Sequence, residues 1–373
     1  MPRESVPDDV YNTFKNFEAE SKTTTSDIKF KDTLIMKHIS TLCNHSQPMI
    51  CYFLKYLANM LQQPYKLTNV SLIIKSKQGA GKDMFFNYFG NKILDSKYYT
   101  NDDSTELIFG KFNSELENKI CIILNEADGR STFEINSRIK NAITRLDVKI
   151  ENKGMKAYTI KNRAAFIFLT NASNPVKIED GDRRFCCIEC DSSQANNANY
   201  FKDLSREMDS GIMDRLFYDY LMKLDITHMD FKAERPETEL YRNMKSINIP
   251  LTGQFLTWMV GEDTHGKVIS VGAMDLFEQF SDWMGRNKFK AEVNSTKFGI
   301  QLKDYSTITK KRTENGMKYI INIQNLKADL IKKKYYEVLD EFVDEEVAFK
   351  PIVAKNKISN IPCRFTLDIE EDL

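Results

Sequence analysis

The chain has 373 residues, 42% hydrophobic and 28% charged, with 53 basic and 53 acidic side chains and a formal net charge of zero. That length supports two or three domains with full cores and excludes a disordered chain, while the charge balance confines any nucleic-acid contact to local patches. No apolar run is long enough to cross a bilayer, and the opening MPRESVPDDVYNTF lacks the apolar core of a signal peptide.

Seven cysteines lie scattered through apolar segments. They suit buried thiols in a reducing, cytoplasmic compartment rather than a disulfide framework. Residues 1–27 are polar and Ser/Thr-rich and are expected to form a flexible leader. Over 28–70 apolar residues recur at helical spacing (Leu34, Ile35, Ile39, Leu42, then Ile50, Phe53, Leu57, Leu61), and Pro48 divides the run into two helices. His38, Cys43, His45 and Cys51 are close in sequence, but their spacing fits no usual zinc pattern.

Leu72, Ile73 and Ile74 predict a buried parallel strand. Ser76-Lys77-Gln78-Gly79-Ala80-Gly81-Lys82-Asp83 follows as a glycine-containing turn, and Met84, Phe85, Phe86 and Phe89 continue at helical spacing. Strand, glycine loop, lysine, helix is the layout of a phosphate-binding loop. Glycines let backbone N–H groups turn toward phosphate oxygens, and the lysine reaches the outer phosphates. The match is incomplete, because Ser76 stands where glycine is usual and Asp83 where serine or threonine is usual. An ordinary strand-to-helix turn is the competing reading of this segment alone.

Further on, 98–102 reads as a strand and Ser104 as the cap of a helix through Leu107, Phe109 and Phe112. A second buried strand covers 119–126 and ends in Asn125 and Glu126, at the edge where ligands of open α/β sheets gather. A helix is expected over 133–146. VKIEN (148–152) and KAYTI (156–160) form a hairpin whose tip, Lys153-Gly154-Met155, is basic. A third buried strand, 164–171, ends in Asn171, and a charged turn containing Arg183 and Arg184 enters the strand FCCIEC. Alternate strand positions account for the CxxC of Cys187 and Cys190 beside Cys186.

The segment SQANNA (193–198) reads as a linker, and helices follow over 200–208 and 211–224. A helical stretch opened by Pro236 runs to Val260, and an amphipathic helix covers 274–284. Ser295 caps a helix carrying Phe298 and Leu302. Strands over 307–312 and 317–323 then flank the Asn-Gly turn signal at Asn315 and Gly316. Helix, helix and two-stranded ribbon form a winged-helix pattern, made basic by Lys310, Lys311, Arg312 and Lys318.

Taken in order, the glycine loop, the strand ending in Asn125-Glu126, the basic hairpin, the strand ending in Asn171 and the paired arginines resemble the superfamily 3 helicases. The likeness is to the helicase half of poxvirus-type primase–helicases of large DNA viruses, phages and mobile elements, over about residues 48–325. Members of that family are AAA+ ATPases that form rings and translocate on single-stranded DNA. The resemblance implies an α/β fold, with an AAA+ P-loop NTPase core and parallel sheet over 71–192 and N-terminal helices before it. A helical region over 193–262, a winged-helix-like domain over 263–325 and a tail over 326–373 follow. It implies an ATP-dependent replicative DNA helicase acting as a ring homo-oligomer, a hexamer, on single-stranded DNA, with ATP, Mg²⁺ and a separate primase or other replisome proteins as partners.

The same resemblance assigns roles. Residues 76–84, including Met84, hold the triphosphate, and Lys82 neutralises its outer oxygens. Glu126 orients or deprotonates the attacking water, Asn171 senses the terminal phosphate, and Arg183 or Arg184 is the arginine finger. Asp83, Asn125 and Glu126 surround Mg²⁺. Lys153, Gly154, Met155 and Lys156 grip DNA phosphates, as do Lys310, Lys311 and Arg312. Asn125 departs from the family's usual carboxylate and Asp83 from its usual hydroxyl, which suggests that the anionic oxygen has exchanged places. A AAA+ protein remodeller is the alternative, and a P-loop small-molecule kinase a third. Nothing before residue 48 is long enough for a primase domain.

Overall fold

A computed structural model describes residues 12, 14–23, 27–125, 135–172, 174–179, 181–247, 249–262, 268–287, 289, 293–314, 316–333 and 335. The described residues divide into two compact units, the first running to Ile178 and over Asp182–Met244, the second holding Glu179, Gly181 and the described residues from Lys245 on. No helix among the described residues is long and apolar enough to cross a membrane.

The first unit opens with helices α1 (Leu34–Leu42) and α2 (Gln47–Gln62). Thr33 caps α1 by accepting from the Met36 amide, and Pro48 sits in the first turn of α2, where its missing N–H costs nothing. Strand β1 (Ser71–Lys75) leads through the glycine turn into α3 (Lys82–Tyr88). Next come β2 (Tyr99–Asp102), α4 (Thr105–Phe109), β3 (Cys121–Leu124) and α5 (Asn136–Thr144). The hairpin strands are β4 (Asp147–Ile150) and β5 (Tyr158–Lys161), followed by β6 (Ala165–Thr170) and β7 (Phe185–Glu189). Helices α6 (Ala198–Met208), α7 (Ile212–Met222) and α8 (Glu239–Ile247) complete the series.

Five strands form one all-parallel sheet in the order β2-β3-β6-β1-β7. The apolar runs are continuous because both faces are covered. Leu72 and Ile74 enter a core shared with α2, α3 and α7, whereas Ile73 enters a second core with Ile139 and Ile143 of α5 and Phe166 and Phe168 of β6. The same alternation places Cys186 in the first core and Cys187 in the second. Burial raises both thiols' pKa values, that of Cys186 to about 12.

Several elements are shorter than the sequence pattern suggests. Helix α4 ends at Phe109, with the Gly110 amide closing its last turn on the Glu106 carbonyl; Phe112 lies beyond it, 47% exposed. The hairpin pairs only from Asp147↔Lys161 to Ile150↔Tyr158, so its loop takes in 151–157. The helical stretch expected to run to Val260 is two helices, divided before Leu251 by Pro250, which cannot donate into a helix.

The second unit contains α9 (Leu251–Glu262), β8 (Val268–Gly272), α10 (Ala273–Arg286), α11 (Ser295–Gln301), β9 (Ile308–Thr313), β10 (Gly316–Asn322) and α12 (Ile323–Lys332). Its antiparallel sheet has the order β8-β10-β9, so the ribbon gains a third strand that the short run VISVG did not announce. The core is aromatic, with Phe280 stacked on Phe298 at 4.5 Å and Phe255 edge-on to Phe280. The cap of α11 is Asn294, which accepts from the Lys297 amide; Ser295 is already the first helical residue.

Candidate functional site

Strands β1 and β6 run parallel with Lys75 beside Thr170, so Ser76 and Asn171 emerge together at the C-terminal edge of the sheet. The Ser76 amide donates to the Thr170 carbonyl at 3.1 Å. Lys82, the first residue of α3, turns back toward this edge and is only 7% exposed. Its Nζ donates to Ser76 Oγ at 2.6 Å, Asn171 Oδ1 at 2.9 Å and the Thr170 carbonyl at 3.1 Å. Burial lowers its pKa below that of an ordinary lysine, an effect partly opposed by Cys190 and Asp83.

Between Ser76 and Lys82 the chain turns at Gly79 and Gly81, both with left-handed φ (78° and 82°) that β-carbon-bearing residues rarely adopt. The surroundings also leave no room for a Cβ unless neighbouring side chains move. One at Gly79 would meet Asn196 Oδ1 at 2.1 Å, and one at Gly81 would meet the rings of Phe201 at 2.5 Å and His38 at 2.8 Å. Asn196 thus packs directly against the loop, its amide donating to the Gly79 carbonyl at 3.1 Å. A cleft of about 400 Å³ opens over the turn, lined by residues 77–84, Asn125, Leu169, Thr170, Asn171 and Phe201.

Asn125 follows β3, separated from β1 by β6. Its Nδ2 donates to Asn101 Oδ1 at 2.5 Å, while its Oδ1 is buried with no hydrogen-bond partner among the described residues. An orphaned acceptor beside a cleft calls for a donor such as water, and Asp83 adds an exposed carboxylate to the same lining. That donor set fits a hydrated hard divalent cation, which takes oxygen ligands and keeps several waters. Glu126 lies outside the described residues.

The paired arginines stand elsewhere. The Arg184 carbonyl accepts from the Ser71 amide, so both precede β7 at the N-terminal edge of the sheet, a full strand away from the glycine turn. The two differ in their surroundings. Arg184 donates through its amide (3.1 Å) and Nη1 (3.3 Å) to Oδ1 of the buried Asp182, whose Oδ2 pairs with Lys140 of α5 at 3.0 Å. Arg183 is exposed and forms no ion pair with a described residue.

The hairpin loop carries Lys153, Gly154, Met155 and Lys156, all exposed, with Gly154 at φ 79° and Met155 67% exposed. Its base is fixed to α5, because Asn162 Nδ2 donates to the carbonyls of Ala142 (2.7 Å) and Arg145 (2.9 Å). In the second unit the three ribbon cations do not share one face, since side chains alternate along a strand. Lys310 lies over the Tyr319 ring at 5.7 Å, while Lys311 stands directly opposite Lys318 and Arg312 opposite Met317.

The sequence pattern missed the groups that back the glycine turn. The sequence offers His38 as a position on the apolar face of a helix, beside Cys43 and His45 at a spacing that fits no zinc pattern; it is fully buried, and a polar group at a core position needs partners. They are the Gly81 carbonyl, 3.3 Å from Nε2, and the Tyr200 hydroxyl, 3.1 Å from Nδ1. His45 instead contacts Ser40 and Asp191, and among the described residues no three His, Cys, Asp or Glu side chains converge to hold a metal.

Residues 74–184 match a family of unknown function, DUF5906. Over 168 residues the chain is 33% identical to the DNA primase-polymerase of Nitratiruptor phage NrS-1; the match takes in 44% of this chain and 23% of that protein. The chain therefore spans less than a quarter of the curated relative it matches. Two solved apo structures of the NrS-1 C-terminal region superpose with a TM-score of 0.63 at 20% and 19% identity, covering 83% of this chain and 79% of theirs. The chain shares the fold of that C-terminal region and is related in sequence to part of a phage DNA primase-polymerase.

Proposed function

We propose that this chain is an ATP-driven DNA motor of a phage, viral or mobile-element replication system, with a AAA+ core of the superfamily 3 type working as a ring, a hexamer, on single-stranded DNA. One observation carries the reading: Lys82 Nζ sits at the head of a two-glycine turn, held by Ser76, Thr170 and Asn171 at the C-terminal edge of two adjacent parallel strands. A buried cation facing a glycine turn at a helix start suits the phosphates of a nucleotide. The position of Asn125 one strand beyond supports it. The relation to a replication protein supports the setting; the match takes in 23% of that protein, and its primase or polymerase activity is not carried over.

In this reading residues 76–84 bind ATP, with Lys82 on its outer phosphate oxygens and Asn171 beside the terminal phosphate. Mg²⁺ bound near Asp83 and Asn125 would neutralise phosphate charge. Glu126 orients the attacking water. Arg183 rather than Arg184 is the arginine finger, because Asp182 occupies Arg184 while Arg183 is exposed and pairs with no described residue. Its place at the opposite edge of the sheet keeps it from its own loop and suits the site of a neighbouring subunit. The hairpin lysines 153 and 156 bear on DNA phosphates. In the second unit the order helix, strand, helix, helix, ribbon suits a winged-helix domain, with Lys310, Lys311 and Arg312 exposed on the ribbon.

The test measures ATP hydrolysis with and without single-stranded DNA, beside strand displacement on a forked duplex, for the wild type and Lys82→Ala. The expected result is DNA-stimulated hydrolysis and unwinding in the wild type and neither in the variant. Hydrolysis without stimulation or unwinding would favour a protein remodeller, and no nucleotide binding would end the reading.

A further inference from the structure

The glycine turn is held from behind as well as from within. Lys82 anchors it on the cleft side, but the carbonyls of both glycines are claimed by groups outside the cleft. The Asn196 amide takes that of Gly79 at 3.1 Å, and His38 takes that of Gly81 at 3.3 Å, alongside the helical bond from the Phe85 amide. A carbonyl only accepts, so His38 Nε2 carries the proton and Nδ1 accepts from the Tyr200 hydroxyl. The imidazole is fully buried, with the rings of Phe201 and Phe85 at 6.0 and 6.4 Å. Two helices remote in sequence, α1 and α6, thus meet on one residue of the turn.

We propose that His38, held by Tyr200, is a positioning residue that latches the phosphate loop. By drawing the Gly81 carbonyl outward it keeps the backbone N–H groups of the turn free for phosphate oxygens, as an anion cradle requires. A loop with two left-handed glycines has many other conformations open to it. The latch restricts them before nucleotide arrives, so binding spends less free energy on ordering the loop. The purpose of the latch rests on the nucleotide reading; its geometry does not.

The experiment follows amide hydrogen exchange of residues 77–83 in the full chain without nucleotide, and the affinity for MgADP, in His38→Phe, His38→Gln, Tyr200→Phe and the wild type. Losing one hydrogen bond is expected to raise loop exchange about tenfold in His38→Phe and to weaken MgADP by a similar factor. His38→Gln keeps an amide donor for the Gly81 carbonyl and is expected to restore most of both, with Tyr200→Phe in between. Unchanged loop exchange in His38→Phe overturns the proposal. So does equal acceleration by Phe and Gln, which would assign the effect to ring packing. If the wild type fails to bind MgADP the nucleotide reading falls, while loop exchange alone still decides the latch.

Discussion

His38 also makes the stability of the first unit depend on pH in a way that can be worked out. Burial pulls its pKa from 6.5 to about 4, only partly offset by its bond to the Gly81 carbonyl. The folded pKa lies below the unfolded one, so the neutral ring costs nothing above pH ~6.5, where both states are neutral. As pH falls through that value the unfolded chain takes up a proton that the folded chain refuses. The difference grows until the folded ring also protonates near pH 4. At roughly 1.4 kcal/mol for each tenfold change in proton affinity, the full loss is on the order of 3 kcal/mol. A large share of the ~5–15 kcal/mol that holds a typical domain is therefore at stake. Urea unfolding from pH 7.5 to 4, followed in the wild type and His38→Gln, isolates this contribution, because the carboxylates titrate in both. The wild type is expected to lose about 1.4 kcal/mol more per pH unit between pH 6 and 4.5. Parallel stability curves for the two proteins would refute the argument.

Four further outcomes are expected. Arg183→Ala leaves thermal stability unchanged and lowers ATP hydrolysis about 10³-fold or more without loss of nucleotide binding, whereas Arg184→Ala costs about 1 kcal/mol in denaturant unfolding, because it strips one partner from buried Asp182 at a half-exposed pair. Asp83→Ala raises the Mg²⁺ concentration needed for half-maximal hydrolysis; an unchanged Mg²⁺ titration means that no carboxylate has moved from the strand end to the loop. Changing Lys153 and Lys156 to Glu weakens single-stranded DNA binding and lowers the salt slope of log K by about 1.4, roughly 0.7 for each phosphate no longer neutralised, and an unaltered slope removes the hairpin from the DNA path.

The parallel sheet was legible because four of its strands, β1, β3, β6 and β7, are short apolar runs, and burial on both faces gives such runs no alternation to misread. The glycine turn was legible for a different reason: Gly79 and Gly81 occupy left-handed conformations that few other residues tolerate, so local chemistry leaves a mark in the sequence. What surrounds the turn leaves no such mark. SQANNA reads as a linker because its composition is polar, yet Asn196 packs against Gly79, and nothing local reports a neighbour more than a hundred residues away. His38 sits on an apolar helical face, where periodicity sees only a core position. Even the choice between the two arginines was closed to sequence, since it turns on which of them Asp182 engages.

The glycines therefore have two independent reasons to be glycine. Their dihedral angles disfavour a Cβ, and the space for one is already filled by Asn196 at Gly79 and by Phe201 and His38 at Gly81. If dihedral preference were the whole cause, Gly81→Asn would be tolerated at a small cost, because asparagine visits the left-handed region more readily than other residues with a β-carbon. The second cause makes that exchange costly, since His38 and Phe201 must move and His38 has no other described partner for Nε2. Gly81→Asn in a His38→Ala background separates the two. With the ring gone, part of the steric penalty is expected to disappear, so the double variant should be more stable in urea than the sum of the single changes by about 1 kcal/mol or more. Strict additivity would mean that the loop's shape is set by its own backbone and owes nothing to the helices behind it.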